Sequence, residues 1–249
     1  SNLLYSFSQV GVLDGKLAAA LAEAVERAPN ALNGQDLALM VPCLGPAAAE
    51  RPELLGKLAA RTARYAGTFS PRQLARLACG FGDARTRSSS LWEALSRESL
   101  ARSASFAAPD VLRVLAGLDA AGWAQPEVLR AFWGLAAAKV PKYLAEESLA
   151  LLRLWPRLEV QLRRELQDLP GELLRNLRQR LERGARSNWR APPELGAELF
   201  EWLPQSRALQ AKGDGTFDSR LIHAAFGHLP HQVLAAPGGL WARLLAALA

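Results

Sequence analysis

The apolar residues of this sequence recur every 37 positions, and this repeat constrains the fold more than any other feature. Four series of large apolar side chains keep the spacing: Leu32, Phe69, Phe106 and Tyr143; Leu44, Phe81, Leu118 and Trp155; Leu17, Leu54, Leu91 and Val128; and Leu21, Leu58, Leu95 and Phe132. A period of about 20–50 residues is typical of stacked arrays, in which each unit buries its apolar face against a neighbour. Such arrays usually serve as binding surfaces or scaffolds.

Each period contains the pattern of two helices, most clearly in residues 68–104. Ser70 is a favourable N-cap and Pro71 suits the first helical position. Apolar residues at helical spacing follow, and Gly80 and Gly82 with Asp83 are expected to end this helix. After a polar loop over 84–90, a second helix runs from Leu91 to near position 102.

The neighbouring periods repeat this organisation. Residues 31–67 and 105–141 each predict a helix pair, with Pro42 expected to end or kink a helix and Gly122 to close one. A truncated unit precedes them, and a fourth unit loses its register at Pro156.

Past position 156 the sequence predicts helices near 157–167, from Pro170 to about 183, and from Pro193 to about 203. A loop containing Gly213-Asp214-Gly215 and a final helix pair near 219–228 and 238–248 follow. The sequence has no sustained alternating β pattern. We therefore expect an all-α fold, an α-solenoid of antiparallel helical hairpins. Regular repeats would occupy 1–156, divergent Arg-rich hairpins 157–205, and a loop with a capping helix pair 206–249, in one continuous array.

Positive charge is concentrated in two blocks. The chain has a formal net charge of +6, whereas residues 56–102 alone carry +6 and residues 153–190 carry +5. Of the 30 basic residues, 25 are Arg, the side chain best suited to planar, bidentate contact with phosphate or carboxylate. A GC-rich genome would produce the same excess of Arg.

Residues suited to catalysis or cofactor binding do not form a convincing pattern. His223, His228 and His231 are close in sequence, but their spacing does not place all three on one helical face, and no Cys or carboxylate cluster joins them. Cys43 and Cys79 are interpreted as small buried residues in preference to a redox pair. No apolar run reaches the roughly 20 residues of a membrane span. We expect no enzyme activity, cofactor, metal, membrane insertion or small-molecule substrate.

Two segments resemble a known family. "TFSPRQLARLACGFG" (68–82) and "SFAAPDVLRVLAGLDAAGW" (105–123) resemble the octotricopeptide and heptatricopeptide repeats, helical hairpins of 37–38 residues related to those of FAST-kinase-like proteins. The similarity covers residues 31–156, and the basic RAP domain that ends many relatives is not recognisable here. The resemblance implies an organellar location, with the mitochondrion favoured over the plastid, and binding to ribosomal or messenger RNA.

The candidate RNA contacts are arginines of the two basic blocks and one nearby position. They are Arg61, Arg64, Arg72, Arg76 and Arg113, followed by Arg163, Arg164, Arg175, Arg178, Arg180, Arg183, Arg186 and Arg190. Arg175, Arg178 and Arg186 are expected to share one helix face while leucines bury the other. Trp189 is interpreted as a core or interface residue in preference to a base-stacking one.

Two series of positions along the first helix of each unit could in principle read single bases. These are Asp36, Gln73, Asp110 and Glu147, and Leu39, Arg76, Arg113 and Ala150. Neither series has a residue pattern suited to recognising bases one by one, and ordinary solvated helix positions are the simpler interpretation.

Two functions fit the sequence. The first is a non-catalytic subunit of an organellar ribonucleoprotein, a mitochondrial ribosome above all, that binds ribosomal RNA through its Arg-rich faces together with neighbouring proteins. The second is a protein–protein scaffold in an organellar complex without nucleic acid, since a fold alone does not determine function. A free messenger-RNA stability factor is a minor third alternative.

Overall fold

The computed structural model describes residues 15–27 and 32–186, and these residues contain helices and turns but no β-strand. This confirms the all-α prediction for the described residues. Their α-helices are α1 Gly15–Arg27, α2 Gly34–Ala49, α3 Pro52–Tyr65, α4 Pro71–Asp83, α5 Ser89–Ala101, α6 Ala108–Ala121, α7 Pro126–Ala138, α8 Ala145–Leu154, α9 Val160–Glu165 and α10 Leu169–Arg186. The chain divides between positions 139 and 140 into two compact units.

The helix starts recur at a constant interval. α1, α3, α5 and α7 begin at Gly15, Pro52, Ser89 and Pro126, and α2, α4, α6 and α8 begin at Gly34, Pro71, Ala108 and Ala145; successive starts in each set are 37 residues apart. Three 3₁₀ turns, Ala66–Thr68, Ser103–Ser105 and Val140–Lys142, keep the same interval. Proline at a first helical position explains several of these starts, because its fixed φ suits the helix and its missing N–H would have no partner there.

The first unit contains two layers of helices. α2, α4 and α6 pack successively on one another, while α3 and α5 contact each other in the second layer, to which α1 and α7 also belong. Between the layers lie fully buried aromatic side chains, among them Phe106 and Phe132, whose rings meet edge to face with centroids 5.1 Å apart. Burying a side chain of this size contributes about 1.5–3 kcal/mol, so this core accounts for much of the unit's stability.

α4 ends at Asp83, as predicted, and its two glycines have a further role in packing. Gly80 and Gly82 are buried inside α4, which continues to Asp83, and the polypeptide at these positions touches the backbone of the flanking helices. A Cβ at Gly80 would lie 2.8 Å from Pro42 Cα in α2, and one at Gly82 would lie 2.6 Å from Gly117 Cα in α6. Glycine is therefore required here for close helix packing.

Pro42 does not end its helix, because α2 runs on to Ala49. The first predicted alternative, a helix end at Pro42, is thus wrong, and the second, a kink, stays a prediction. Proline removes one backbone hydrogen bond from a helix interior, and Pro42 occupies the segment of α2 against which Gly80 packs. Packing against α4 favours the helical path of this segment despite the missing donor. By contrast, Gly122 does terminate α6, with φ of 66°, as predicted.

In the second unit, α8 packs on α10, and the short α9 connects them. One side of α10 is buried through Leu173, Leu177 and Leu181. Between α8 and α10, the Asn176 side-chain amide donates to the Tyr143 carbonyl oxygen at 3.0 Å and to Ser148 Oγ at 2.9 Å. This buried polar pair of contacts fixes the register of α10 on α8.

Several predicted elements lie outside the described residues. They are the helix from Pro193 to about 203, the loop near 206–219, the helix pair near 219–228 and 238–248, and the start of the truncated first unit.

Candidate nucleic-acid interface

Three candidate arginines are used to hold the protein's own chain. Arg61 Nε donates to the Leu32 carbonyl oxygen at 2.8 Å, and its guanidinium lies 5.3 Å from the centroid of the Tyr65 ring. Arg180 donates to the Pro141 carbonyl oxygen at 2.7 Å. Arg113 pairs with the buried carboxylate of Asp110 at 2.7 Å, although 44 % of the Arg113 side chain stays exposed. Arg61 and Arg180 each use one guanidinium donor in these contacts, which ties part of each side chain to the protein itself.

Sequence reasoning missed Arg102, which has a similar structural role. Its guanidinium donates to the carbonyl oxygens of Phe69 and Gly67 and to the Glu98 carboxylate. The carbonyl oxygens that accept from Arg61 and Arg102 belong to Leu32 and Phe69, which are 37 residues apart. The two arginines themselves are not separated by the repeat interval. The repeat spacing therefore gives no signal for this shared contact.

Besides Arg113, five candidate arginines are exposed, and they lie on four helices. Arg64 is in α3, Arg72 in α4, Arg164 in α9, and Arg175 and Arg183 in α10. Among the described residues, none forms an ion pair with these five side chains. They are the side chains of the predicted set that are available to an external phosphate.

The arrangement on α10 follows from its helical period. Leu173, Leu177 and Leu181 recur every four residues and bury one side, and Arg175 and Arg183 point away from them. Eight residues at 1.5 Å rise separate these two arginines by about 12 Å along the helix axis. The predicted leucine face is confirmed at three positions, although Leu174 is only half-buried. The expected arginine face differs, because Arg178 is half-buried and Arg183 is exposed together with Arg175.

The remaining candidates are less accessible. Arg76, Arg163 and Arg178 are half-buried, and Arg76 and Arg178 interact with other groups of the protein. Arg163 Nε is fully buried without a hydrogen-bond partner in the described part of the chain. Arg190, Trp189 and the side chain of Arg186 lie outside what the structure describes.

The first series of possible base-reading positions is largely explained by helix capping. Gln73 accepts a hydrogen bond from the Ser70 N–H at 2.8 Å, Glu147 accepts from the Leu144 N–H at 2.8 Å, and Asp36 accepts from the Asn33 N–H at 3.2 Å. Each is the third residue of its helix and satisfies an amide that the helix leaves unpaired. The fourth member, Asp110, pairs with Arg113 instead. Capping therefore accounts for the polar character of this series.

The described residues offer no metal site and no candidate membrane span. They hold no group of three or more His, Cys, Asp or Glu side chains arranged for a metal ion, and none of their helices combines the length and the apolarity needed to cross a bilayer. The three histidines lie outside this part of the chain. Burial and the neighbouring Asp83 carboxylate raise the pKa of the Cys79 thiol to about 11, which keeps it protonated and unreactive at neutral pH.

Comparison with known proteins adds no assignment. No protein-family model matches the chain, and no curated protein is significantly similar to it.

Proposed function

We propose that this protein is a non-catalytic α-solenoid, built from 37-residue helical hairpins, that binds the phosphate backbone of RNA as a subunit of an organellar ribonucleoprotein. The observation that carries the proposal is the exposed arginine face of α10, which lies opposite a fully buried leucine face. The organellar setting, with the mitochondrial ribosome as first candidate, rests on the resemblance of residues 31–156 to octotricopeptide and heptatricopeptide repeats.

The solenoid part of the proposal is supported by the first unit. Its helix starts keep a 37-residue interval, and the second helix of each pair begins close behind the first. Gly80 and Gly117, also 37 residues apart, each bring their helix onto the backbone of the preceding helix of the same layer. A packing contact that recurs at the repeat interval is expected of units related by a constant displacement.

RNA binding would work through charge and position. Arg175 and Arg183 are exposed on a helix that is held by its leucine face and by Asn176, so their separation along α10 is fixed. Arginines held at fixed positions neutralise phosphates without reading bases, and this mode of binding releases counterions and depends strongly on salt. Exposed Arg64 and Arg72 in the first unit and Arg164 in α9 would add contacts of the same kind.

The test is a salt titration of RNA binding by the full chain. We expect the affinity for a structured RNA to fall steeply between 50 and 200 mM salt, because each neutralised phosphate lowers the affinity by about tenfold for every tenfold rise in salt. R175E and R183E should each weaken binding and reduce the slope of log K against log salt by about one. Because these arginines bind the RNA backbone, the weakening should be similar for RNAs of unrelated sequence.

K142E is the matched control. Lys142 is exposed in the same unit and its reversal changes the net charge equally, but it lies in a 3₁₀ turn and not on α10. If K142E weakened binding as much as R175E, net charge and not the α10 face would be responsible. If no RNA bound at 50 mM salt, and the chain were recovered with proteins after nuclease treatment, the scaffold function would replace this proposal.

A further inference from the structure

The loop before α5 and the start of α5 together carry two exposed arginines and two exposed serines. Arg85 and Arg87 are exposed, and so are Ser89 and Ser90, the first two residues of α5. Arg85 has φ of 50°, a left-handed conformation that is uncommon for a residue with a side chain. Two exposed guanidinium groups thus precede an exposed serine at the start of a helix by five and three positions.

Ser90 also occupies a position at which the related helices carry an acid. The second residue of α3 is Glu53 and the second residue of α7 is Glu127, each 37 residues from Ser90. The first turn of α5 contains no acidic side chain, whereas those of α3 and α7 do. The environment shared by these three positions therefore accepts negative charge, and in α5 that charge is missing.

The local contacts leave the Ser90 hydroxyl available for reaction. Ser88 Oγ accepts the Leu91 N–H at 3.4 Å and so caps the helix. Ser90 Oγ lies 3.2 Å from Ser88 Oγ and is exposed at the surface. Capping is thus provided by Ser88 Oγ and does not use the Ser90 oxygen.

We propose that Ser90 is a phosphorylation site for a protein kinase that selects serines preceded by basic residues. In the reaction the Ser90 oxygen attacks the γ-phosphorus of a nucleoside triphosphate held by the kinase. The Oγ–P bond forms, the bond between the γ-phosphorus and the β,γ-bridging oxygen breaks, nucleoside diphosphate leaves, and the hydroxyl proton passes to the kinase base. Arg85 and Arg87 supply the charge pattern by which such kinases discriminate substrates.

Phosphorylation would change the charge of this region. A phosphoserine carries about −1.5 to −2 charges at neutral pH, and residues 56–102 carry a net +6. The phosphate would supply to α5 the negative charge that Glu53 and Glu127 supply to α3 and α7, next to Arg87. The assignment does not depend on the proposed RNA binding.

The test is phosphate transfer to the full chain by the catalytic subunit of a kinase that prefers basic residues before serine, with Mg-ATP, read by mass spectrometry of peptides. We expect one phosphate on Ser90, its loss in S90A, and an initial rate at least tenfold lower in R85A/R87A. S105A is the control, since Ser105 is exposed but follows a single arginine that is already bonded. Transfer to another serine, no transfer, or a rate unaffected by R85A/R87A would overturn the proposal.

A second measurement tests the need for charge at this position. S90E should raise the melting temperature by about 1–4 °C relative to the neutral, near-isosteric S90Q, because an acid in the first turn interacts favourably with the helix dipole. Equal melting temperatures for S90E and S90Q would refute the inference that the position accepts negative charge.

Discussion

The backbone of Gly117 in α6 lies directly against the backbone of Ala78 in α4. A Cβ at Gly117 would be 2.5 Å from the Ala78 carbonyl carbon and 2.9 Å from the amide nitrogen of Cys79. One repeat earlier, Gly80 meets Val41 and Pro42 of α2 in the same way. Close packing in this layer thus depends on the absence of side chains at Gly80 between α2 and α4, and at Gly82 and Gly117 between α4 and α6.

G117A should therefore destabilise the first unit. The new methyl group would overlap backbone atoms that have no rotamer to change, and overpacking of this kind costs about 1–3 kcal/mol or more. Chemical denaturation followed by circular dichroism measures the effect as a lower midpoint.

The control for this variant is G134A. Gly134 lies in α7, is exposed, and has no atom within 4 Å of an added Cβ. Alanine is favoured over glycine in a helix by up to about 1 kcal/mol, so G134A should raise the midpoint. A G117A variant as stable as G134A would contradict the close backbone packing.

Arg102 should be required for stability. It bonds the carbonyl oxygens of Phe69 and Gly67, which precede α4, from the end of α5, and hydrogen bonds to a charged group contribute about 1.5–3 kcal/mol each. We expect R102L to lose about 2–3 kcal/mol of unfolding free energy, measured by urea titration, and R102K to recover only part, because lysine lacks the planar fork.

R97L is the matched substitution for R102L. Arg97 lies in α5, which Arg102 follows, its side chain is 70 % exposed, and within residues 15–27 and 32–186 its ion-pair partner is Glu98 at 3.4 Å. Exposed pairs contribute little, so R97L should change stability by no more than about 0.5 kcal/mol. A similar loss in both variants would show that Arg102 acts through charge alone.

Local signals in the sequence predict the helices but not the contacts between them. Ser70, Pro71 and Gly122 act through their own backbone conformation and nearest neighbours, so their roles as caps follow from the sequence. The same local rule predicts the end of α4 at Gly80, Gly82 and Asp83, where the helix does end. It does not predict the packing of these glycines against α2 and α6, which depends on residues distant in sequence.

In the candidate site, too, the features set by local sequence can be predicted, whereas those set by distant contacts cannot. The solvent position of Arg175 and Arg183 follows from the leucine period of α10, which the sequence contains. Arg61 and Arg180 donate hydrogen bonds to backbone carbonyl oxygens 29 and 39 residues away in sequence. Sequence spacing does not indicate which side chain reaches each of these oxygens. Arginine content therefore overestimates the number of side chains available to RNA.

Glu98 should make stability depend on pH in the acidic range. The hydrogen bond from Arg102 holds the pKa of the Glu98 carboxyl below its ordinary value of 4.5, against the opposing effect of partial burial. Because the folded pKa is lower than the unfolded one, Glu98 stabilises the fold above about pH 4.5, and this contribution is lost as the pH falls through the folded pKa.

The measurement is the melting temperature of the wild type and of E98Q between pH 6 and pH 3. Glutamine keeps an acceptor for Arg102 but does not titrate, so the wild type should exceed E98Q at pH 6 and the difference should shrink as the pH falls. A difference that stayed constant with pH would show that the Glu98 charge does not stabilise the fold. Other carboxyls titrate in both proteins and cancel in the comparison.

Cys79 should react slowly with thiol reagents, and Asp83 should be part of the reason. The Cys79 Sγ lies 3.6 Å from Asp83 Oδ2, and the pKa of the thiol is about 11, raised first by burial and then by the Asp83 carboxylate, while Arg113 acts in the opposite direction. The thiolate is the reactive form. A pKa two units above the ordinary value of 9.0 therefore reduces the thiolate population at pH 8 about a hundredfold.

In a C43S background, iodoacetamide should modify Cys79 about a hundredfold more slowly than a free thiol. D83N should accelerate the reaction, whereas R113Q should slow it further, because the first removes an anion and the second a cation. If D83N and R113Q changed the rate in the same direction, altered access to the sulfur and not its pKa would control the reaction.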